Sequence, residues 1–212
     1  MSYYELDMEH YPRKEQFDLF RNLAYPYVGM TVNLDITDFM SCIKEEGLPF
    51  YLTFLYAAAR TANSIPEFRR RLRGNGIIEY DHCISSYTLA LENESYCYCT
   101  ADDRLPFDEF LKDSKQRQEL ARQSQTLAEG EDEDQRFFLS SIPWVSYTSI
   151  VQPVPVPADS NPRITWGKYF TSEGDIKIPV SVLVNHALMD GLHISKFYSG
   201  LQSSCHRMDW LV

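Results

Sequence analysis

Between Ile176 and Val184 the chain reads Ile-Lys-Ile-Pro-Val-Ser-Val-Leu-Val, an almost continuously apolar run. A strand with one wet face alternates in polarity. A run of this kind suits a central strand, buried on both faces. Phe50 to Ser64 adds a second constraint. It is apolar on nearly every side at helical length, so it reads as a deeply buried helix rather than an amphipathic one. Ile65-Pro66 ends it. A buried strand and a buried helix in one chain demand a layered fold with a large core. The apolar fraction of 44% allows one, and 14 Tyr, 12 Phe and 3 Trp suit aromatic-lined pockets.

The remaining segments fit around these two. Lys14 to Arg21 reads as a short helix with Phe17, Leu19 and Phe20 on its apolar side. Tyr27 to Ile36 alternates as a strand does, and Thr37 has the chemistry of an N-cap for a helix from Asp38 to Glu45. Ile84 to Leu91 and Tyr96 to Thr100 read as paired strands around Glu92-Asn93-Glu94-Ser95. Phe107 to Leu127 is helical and polar after Leu111. Arg136 to Trp144 and Arg163 to Phe170 have strand character, and Gln152 to Pro162 holds four prolines and is extended or irregular. Leu192, Ile194, Phe197, Tyr198 and Leu201 restore a helical period at the end. The mixture is α+β. With no repeat and no linker, residues 1–212 read as a single domain.

Composition excludes several functions. Lys+Arg 20 against Asp+Glu 30 gives a net charge of −10, which argues against sequence-independent nucleic-acid binding. No apolar run reaches the ~18 residues of a membrane span. Met1 to Asp7 has neither the basic nor the apolar region of a secretory signal, so a complete chain of this sequence is expected in the cytoplasm. The five cysteines, Cys42, Cys83, Cys97, Cys99 and Cys205, are odd in number and suit reduced, half-buried thiols. Cys97 and Cys99 share one face of a strand. No His/Cys spacing matches a zinc site, so no metal is expected.

The stretch richest in chemistry follows the buried strand: Asn185-His186-Ala187-Leu188-Met189-Asp190-Gly191-Leu192-His193. A rigid strand delivers His186 at its end, and Asp190-Gly191 opens the last helix. Imidazole is the side chain best matched to proton transfer near neutral pH. Asp190 can hold the imidazole, cap the helix or pair with an arginine. On these residues alone, a capping Asp-Gly beside an incidental histidine is the plainer reading.

This stretch resembles the active-site signature of the chloramphenicol acetyltransferase family, H-H-x-x-x-D-G-x-H. It departs only at the first position, where Asn185 stands. Other family motifs run in the same order along the chain. Tyr11-Pro12-Arg13-Lys14-Glu15-Gln16-Phe17 is similar to W-x-R-K-E-H-F. Leu34-Asp35-Ile36-Thr37 stands at the strand-to-helix junction. Phe50-Tyr51 and Pro66-Glu67-Phe68-Arg69 bracket the second helix. Pro143-Trp144-Val145-Ser146-Tyr147-Thr148-Ser149 is similar to P-W-V-x-F-x-S, and Thr165-Trp166-Gly167-Lys168-Tyr169 to T-M-x-K-Y.

The resemblance implies a two-layer sandwich of a mixed β-sheet covered by helices, of the coenzyme A-dependent acyltransferase type. It implies acetyl transfer from acetyl-CoA to a hydroxyl of chloramphenicol through a ternary complex, with no metal and no acyl-enzyme. His186 would be the base, its tautomer held by its own backbone carbonyl. Asp190 would form a buried ion pair with Arg13. Ser149 would stabilise the tetrahedral intermediate, with Thr165 supporting it through water. Lys168 and Tyr169 would lie near the adenosine 3′-phosphate. A homotrimer with sites between subunits is also implied.

Other parts of the chain depart from the family pattern. Pro49 replaces a basic residue before Phe50-Tyr51. Tyr96 is the aromatic of a run that aligns with a gap. Glu129 to Asp134 replaces an F-P-x-G segment of the acceptor pocket. Acetylation of another hydroxyl compound, the acyltransferase component of 2-oxo acid dehydrogenase complexes and a non-catalytic ligand-binding homologue stand as alternatives. Arg69-Arg70-Arg71-Leu72-Arg73 could bind phosphate, although it reads first as a solvated helix end.

Overall fold

The computed structural model describes residues 2–128 and 133–211. Its central sheet is built around β10 (Asp175–Asn185). β10 pairs antiparallel with β2 (Tyr27–Asp35) on one edge and with β8 (Arg163–Gly167) on the other. β8 runs parallel to β7 (Arg136–Ile142), and β7 parallel to β5 (Ile84–Ala90). β5 and β6 (Tyr96–Ala101) form an antiparallel pair. The short β9 (Phe170–Ser172) also joins β10, which completes seven strands. The apolar run is therefore the interior strand of a mixed sheet. Ile178, Val180, Val182 and Val184 are fully buried on one face. On the other face Pro179 and Ser181 are also buried, while Leu183 is half-buried.

Helices α1 (Lys14–Phe20), α2 (Thr37–Glu45), α3 (Phe50–Asn63), α4 (Phe107–Ser124) and α5 (Gly191–Arg207) accompany the sheet. α3 packs against α2, α4 and α5, which explains its all-round apolar character. Ala57, Ala58 and Ala62 keep its surface low, and Gly200 lets α5 approach. A Cβ at Gly200 would lie 3.0 Å from Thr61 Cγ2. Phe39, Phe54 and Trp166 interlock edge-to-face between the layers, with centroids 5.8 and 5.2 Å apart. Each such fully buried aromatic contributes about 2–3 kcal/mol before entropy is charged.

Three local expectations are corrected. Thr37 is not a cap but the first residue of α2. The Asp35 carboxylate accepts from its N–H at 2.9 Å and its hydroxyl at 2.6 Å, and the hydroxyl in turn accepts from Ile176 N. The charged acceptor two residues upstream outcompetes the hydroxyl. Leu19 is 62% exposed, so the apolar side of α1 is Phe17 and Phe20 alone. Of the arginine run only Arg69 ends a helix, the 3₁₀ turn Pro66–Arg69. Residues 70–73 form β3 (Arg70–Arg73), which joins β4 (Gly76–Tyr80) and β1 (Tyr3–Glu5) in a separate three-stranded sheet.

Pairing in that small sheet consumes the arginines. Arg69 and Arg70 reach the buried Glu79 carboxylate of β4 at 3.2 and 2.9 Å, and Arg70 also reaches Glu67. Arg73 pairs with Asp134. Arg71 is wholly buried and bonded to main-chain carbonyls. The run is a structural clasp, not a phosphate patch. Of the acidic loop from Glu129, residues 129–132 lie outside the described residues. Glu133 and Asp134 begin a short 3₁₀ turn into β7.

Candidate active site

β10 ends at Asn185, and the chain turns tightly before α5. Asn185 O accepts from Leu188 N and Met189 N at 3.0 and 3.1 Å. The turn folds the Met189 carbonyl back onto the base: His186 Nδ1 lies 2.8 Å from Met189 O. A carbonyl can only accept, so Nδ1 carries the proton and Nε2 keeps its lone pair. The carbonyl is that of Met189 and not the histidine's own, because the turn brings a residue three positions on across the ring. The His186 backbone N–H donates to Pro26 O at 2.7 Å. Its ring stacks on Phe20 with centroids 3.8 Å apart. Phe20 closes a side of the site that sequence reasoning assigned only to the core. Its position after Phe17 in the Arg-Lys-Glu motif was the available signal.

Asp190 performs two of the jobs open to it. It caps α5 by accepting from Leu192 N at 2.9 Å, and it pairs with Arg13 at 3.3 Å. Arg13 also donates to Leu188 O, which ties the segment before α1 to the catalytic turn. The pair is not buried. The side chains are 17% and 36% exposed, because α5 presents its first turn at the rim of the sheet. Burial would raise the Asp190 carboxyl, but the Leu192 N–H, His193 and Arg13 outweigh it and hold it below its ordinary value. His193 completes the cap, its Nδ1 accepting from Asp190 N at 3.1 Å. Burial lowers its pKa more than Glu67 and Asp190 raise it, and the neutral ring suits that acceptor role.

Thr165 lies in β8 with its side chain on a row of hydroxyls. Cross-strand register places Thr31, Ser181, Thr165 and Ser140 side by side. Thr31 and Ser181 are hydrogen-bonded at 2.7 Å, and Thr88 reaches Ser140 at 3.2 Å. Over this row opens a cleft of about 890 Å³, lined among others by Tyr87, Tyr96, Tyr98, Phe138, Ser140 and Thr165. The Tyr51 hydroxyl is buried with no hydrogen-bond partner among the described residues, and Tyr51 and Tyr87 both line the cleft. Burial raises the Tyr87 phenol far above its ordinary pKa.

Ser149 stands in an exposed loop, not a strand. The loop is pinned to β8. Tyr147 donates to Thr165 O at 2.9 Å, and Lys168 N donates to Val145 O at 2.9 Å. Gly167 makes this contact possible, since a Cβ there would meet Tyr147 Cε1 and Pro179 Cγ at 2.9 Å. Lys168 and Tyr169 are exposed, and the Tyr169 ring leans on Phe50 at 5.6 Å. A cation beside a partly open aromatic face can take a phosphate and a flat base.

The chain thus forms two groups. Arg13, Asp190, His193 and Phe20 gather around His186, while Thr165 lies in the cleft. Neither His186 nor Ser149 is among the cleft-lining residues of its own chain. Folding also draws His82, Asp102 and Asp103 within 4.8 Å of one another. Asp103 accepts from Asn63, and Asp102 is held by Arg104.

Known proteins show the same arrangement of elements. The family model for chloramphenicol acetyltransferase matches residues 1–202. A chloramphenicol acetyltransferase of Klebsiella sp is 32% identical over 210 residues, covering 96% of this chain and 94% of its own. One from Escherichia coli is 31% identical over 208 residues, with coverage of 96% and 94%. A solved chloramphenicol acetyltransferase superposes with a TM-score of 0.83 at 26% identity, covering 95% of this chain and 99% of its own. The dihydrolipoamide acetyltransferase of Azotobacter vinelandii shares the fold, with a TM-score of 0.68 at 16% identity over 92% of this chain and 86% of its own. By its motifs, its sheet and these full-length likenesses, the chain belongs to the chloramphenicol acetyltransferase family.

Proposed function

We infer that the protein acetylates a hydroxyl of chloramphenicol with acetyl-CoA as co-substrate. The observation that carries this reading is the fixed imidazole: Nδ1 is bound to Met189 O, so Nε2 is the basic nitrogen. His186 Nε2 takes the proton of the acceptor hydroxyl as that oxygen attacks the thioester carbonyl, and returns it to the departing thiolate. Ser149 Oγ donates to the oxygen that gains negative charge, and Thr165 supports it from the cleft floor. Arg13 and Asp190 hold the turn that carries the base. Lys168 and Tyr169 take the phosphate and adenine end of the co-substrate. No step calls on a metal.

The reading includes a cytoplasmic homotrimer whose sites form between subunits. Two observations support the shared sites. The base is not among the residues that line the cleft of its own chain, which suits a site completed by a neighbour's cleft. Trp144, Val151 and Val156 beside the cleft are 77%, 94% and 97% exposed, which is apolar surface suited to burial against another copy.

Thiol release tests the chemistry. Acetyl-CoA with chloramphenicol should release free coenzyme A, and acetyl-CoA with 3-acetylated chloramphenicol should not. No release above the background of the His186→Ala variant refutes the reading, and release only with other alcohols transfers it to another acceptor.

Two substitutions test roles within the site. Ser149→Ala is expected to lower kcat about 100-fold with little change in either KM, since the donor acts on charge that develops during reaction. Lys168→Ala is expected to raise the KM for acetyl-CoA about five-fold and leave kcat in place, as one exposed phosphate contact supplies about 1 kcal/mol. Steady-state kinetics on both substrates separate these outcomes. A Ser149→Ala enzyme with normal kcat removes the serine from the mechanism.

A further inference from the structure

Asn185 stands where the family signature has its first histidine, and it is completely buried. Both ends of its side chain are engaged. Oδ1 accepts from Ala187 N at 3.0 Å, closing an Asx turn over His186. Nδ2 donates to Asp159 O at 2.9 Å. Asp159 in turn binds Arg163 through both carboxylate oxygens, at 2.9 and 2.7 Å, and accepts from Tyr27 OH at 2.9 Å. Asp159 and Arg163 line the cleft. One side chain therefore joins the turn that carries the base to the wall of the chain's own cleft.

We propose that Asn185 is a positioning residue for His186, setting its ring tautomer and placement through the Asx turn and the bond to Asp159. The chain of cause is short. The Asx turn orients Ala187, and the Asn185 main-chain carbonyl collects Leu188 N and Met189 N. That path brings the Met189 carbonyl onto His186 Nδ1. An imidazole at position 185 can copy both bonds only while neutral, with one nitrogen accepting and the other donating. An asparagine makes them at any pH. The charged and titratable groups around the turn are Arg13, Asp190 and His193 on the α5 side. Asp159, Arg163 and Tyr27 face it from the β2 and β8 side.

The inference rests on His186 being the base, and its test does not depend on activity alone. The full-length protein is labelled with 15N on histidine and compared with Asn185→Ala, Asn185→Ser and Asn185→His. In the unaltered protein the His186 signals should report a single tautomer with the proton on Nδ1. Asn185→Ala should mix the tautomers and lower kcat about 100-fold, with both KM values close to the original. Asn185→Ser keeps a short acceptor for Ala187 N and loses the reach to Asp159, so it should fold and fall between the two. Asn185→His should restore kcat near neutral pH and lose it on the acid side, where its ring protonates and stops accepting. An unchanged tautomer and kcat in folded Asn185→Ala or Asn185→Ser overturns the proposal. So does a loss expressed only in KM or thermal stability. If the unaltered protein acetylates nothing, the proposed function fails, while the 15N comparison still decides the role of Asn185.

Discussion

Replacing His186 with alanine is expected to lower kcat for chloramphenicol acetylation by about 10³- to 10⁴-fold, the upper range for a positioned general base. The ring is doubly fixed, by Met189 O at Nδ1 and by Phe20 on its face, so its single lone pair is aimed before substrate arrives. Preorganisation of this kind is lost entirely with the side chain. His186→Gln should do no better. Its amide can form a hydrogen bond to Met189 O but has no basic nitrogen. The fold should survive both changes, since α5 stays capped by Asp190 and His193. Thiol-release kinetics with circular dichroism on the same samples check this. A folded His186→Ala enzyme within ten-fold of the original places the base elsewhere.

Arg71→Ala is expected to destabilise the fold by about 4 kcal/mol. Arg71 has no exposed surface and no carboxylate partner among the described residues. Nε donates to Asp134 O at 2.5 Å, Nη1 to Phe68 O at 2.8 Å and Arg70 O at 2.6 Å, and Nη2 to Arg136 O at 2.9 Å. The guanidinium also lies 5.8 Å from the Phe137 ring centroid. Its charge is solvated by carbonyl dipoles from two separate stretches of chain, 68–70 and 134–136. Removing it takes a donor from each of those carbonyls, of which Arg136 O keeps Asn161 Nδ2 at 3.0 Å, at about 1–3 kcal/mol for each one left unpaired before the structure relaxes. A buried ion pair can be exchanged for apolar side chains because both partners leave together. Here the partners are backbone and stay, so Arg71→Met should also be destabilising. Urea denaturation measures the loss. An unfolding free energy within about 1 kcal/mol of the original shows that the carbonyls find other donors.

These two residues mark the opposite limits of what could be read from the chain. His186 follows a strand written in continuous apolar residues and precedes a helix written in 3.6-residue period, so local pattern delivered it to an element end. The motifs around Arg13, Ser149 and Thr165 made the family legible in the same way. Arg71 sits in a run of like charges that local reasoning assigns to solvent. Nothing nearby in sequence shows that Glu79 pairs with Arg69 and Arg70, or that carbonyls near residues 134 and 136 enclose Arg71. The small three-stranded sheet was hidden for that reason. A strand carrying three arginines is stable only when its neighbours supply the counter-charges.

The sequence by itself determined the α+β class, the types of the helices and strands of the large sheet, the buried status of β10 and α3, and the identity of the chemical groups. These follow from short-range properties: side-chain period and apolar content. The tertiary structure alone decided which groups meet. It put Met189 O rather than His186 O on the imidazole, left the Arg13–Asp190 pair at the rim, and set Thr165 in a cleft whose lining does not include His186. Such meetings depend on strand register and on close approaches such as that of Tyr147 to Gly167. Those distances are fixed by the packing of segments far apart in the chain, and a one-residue slip of register would move every side chain to the opposite face.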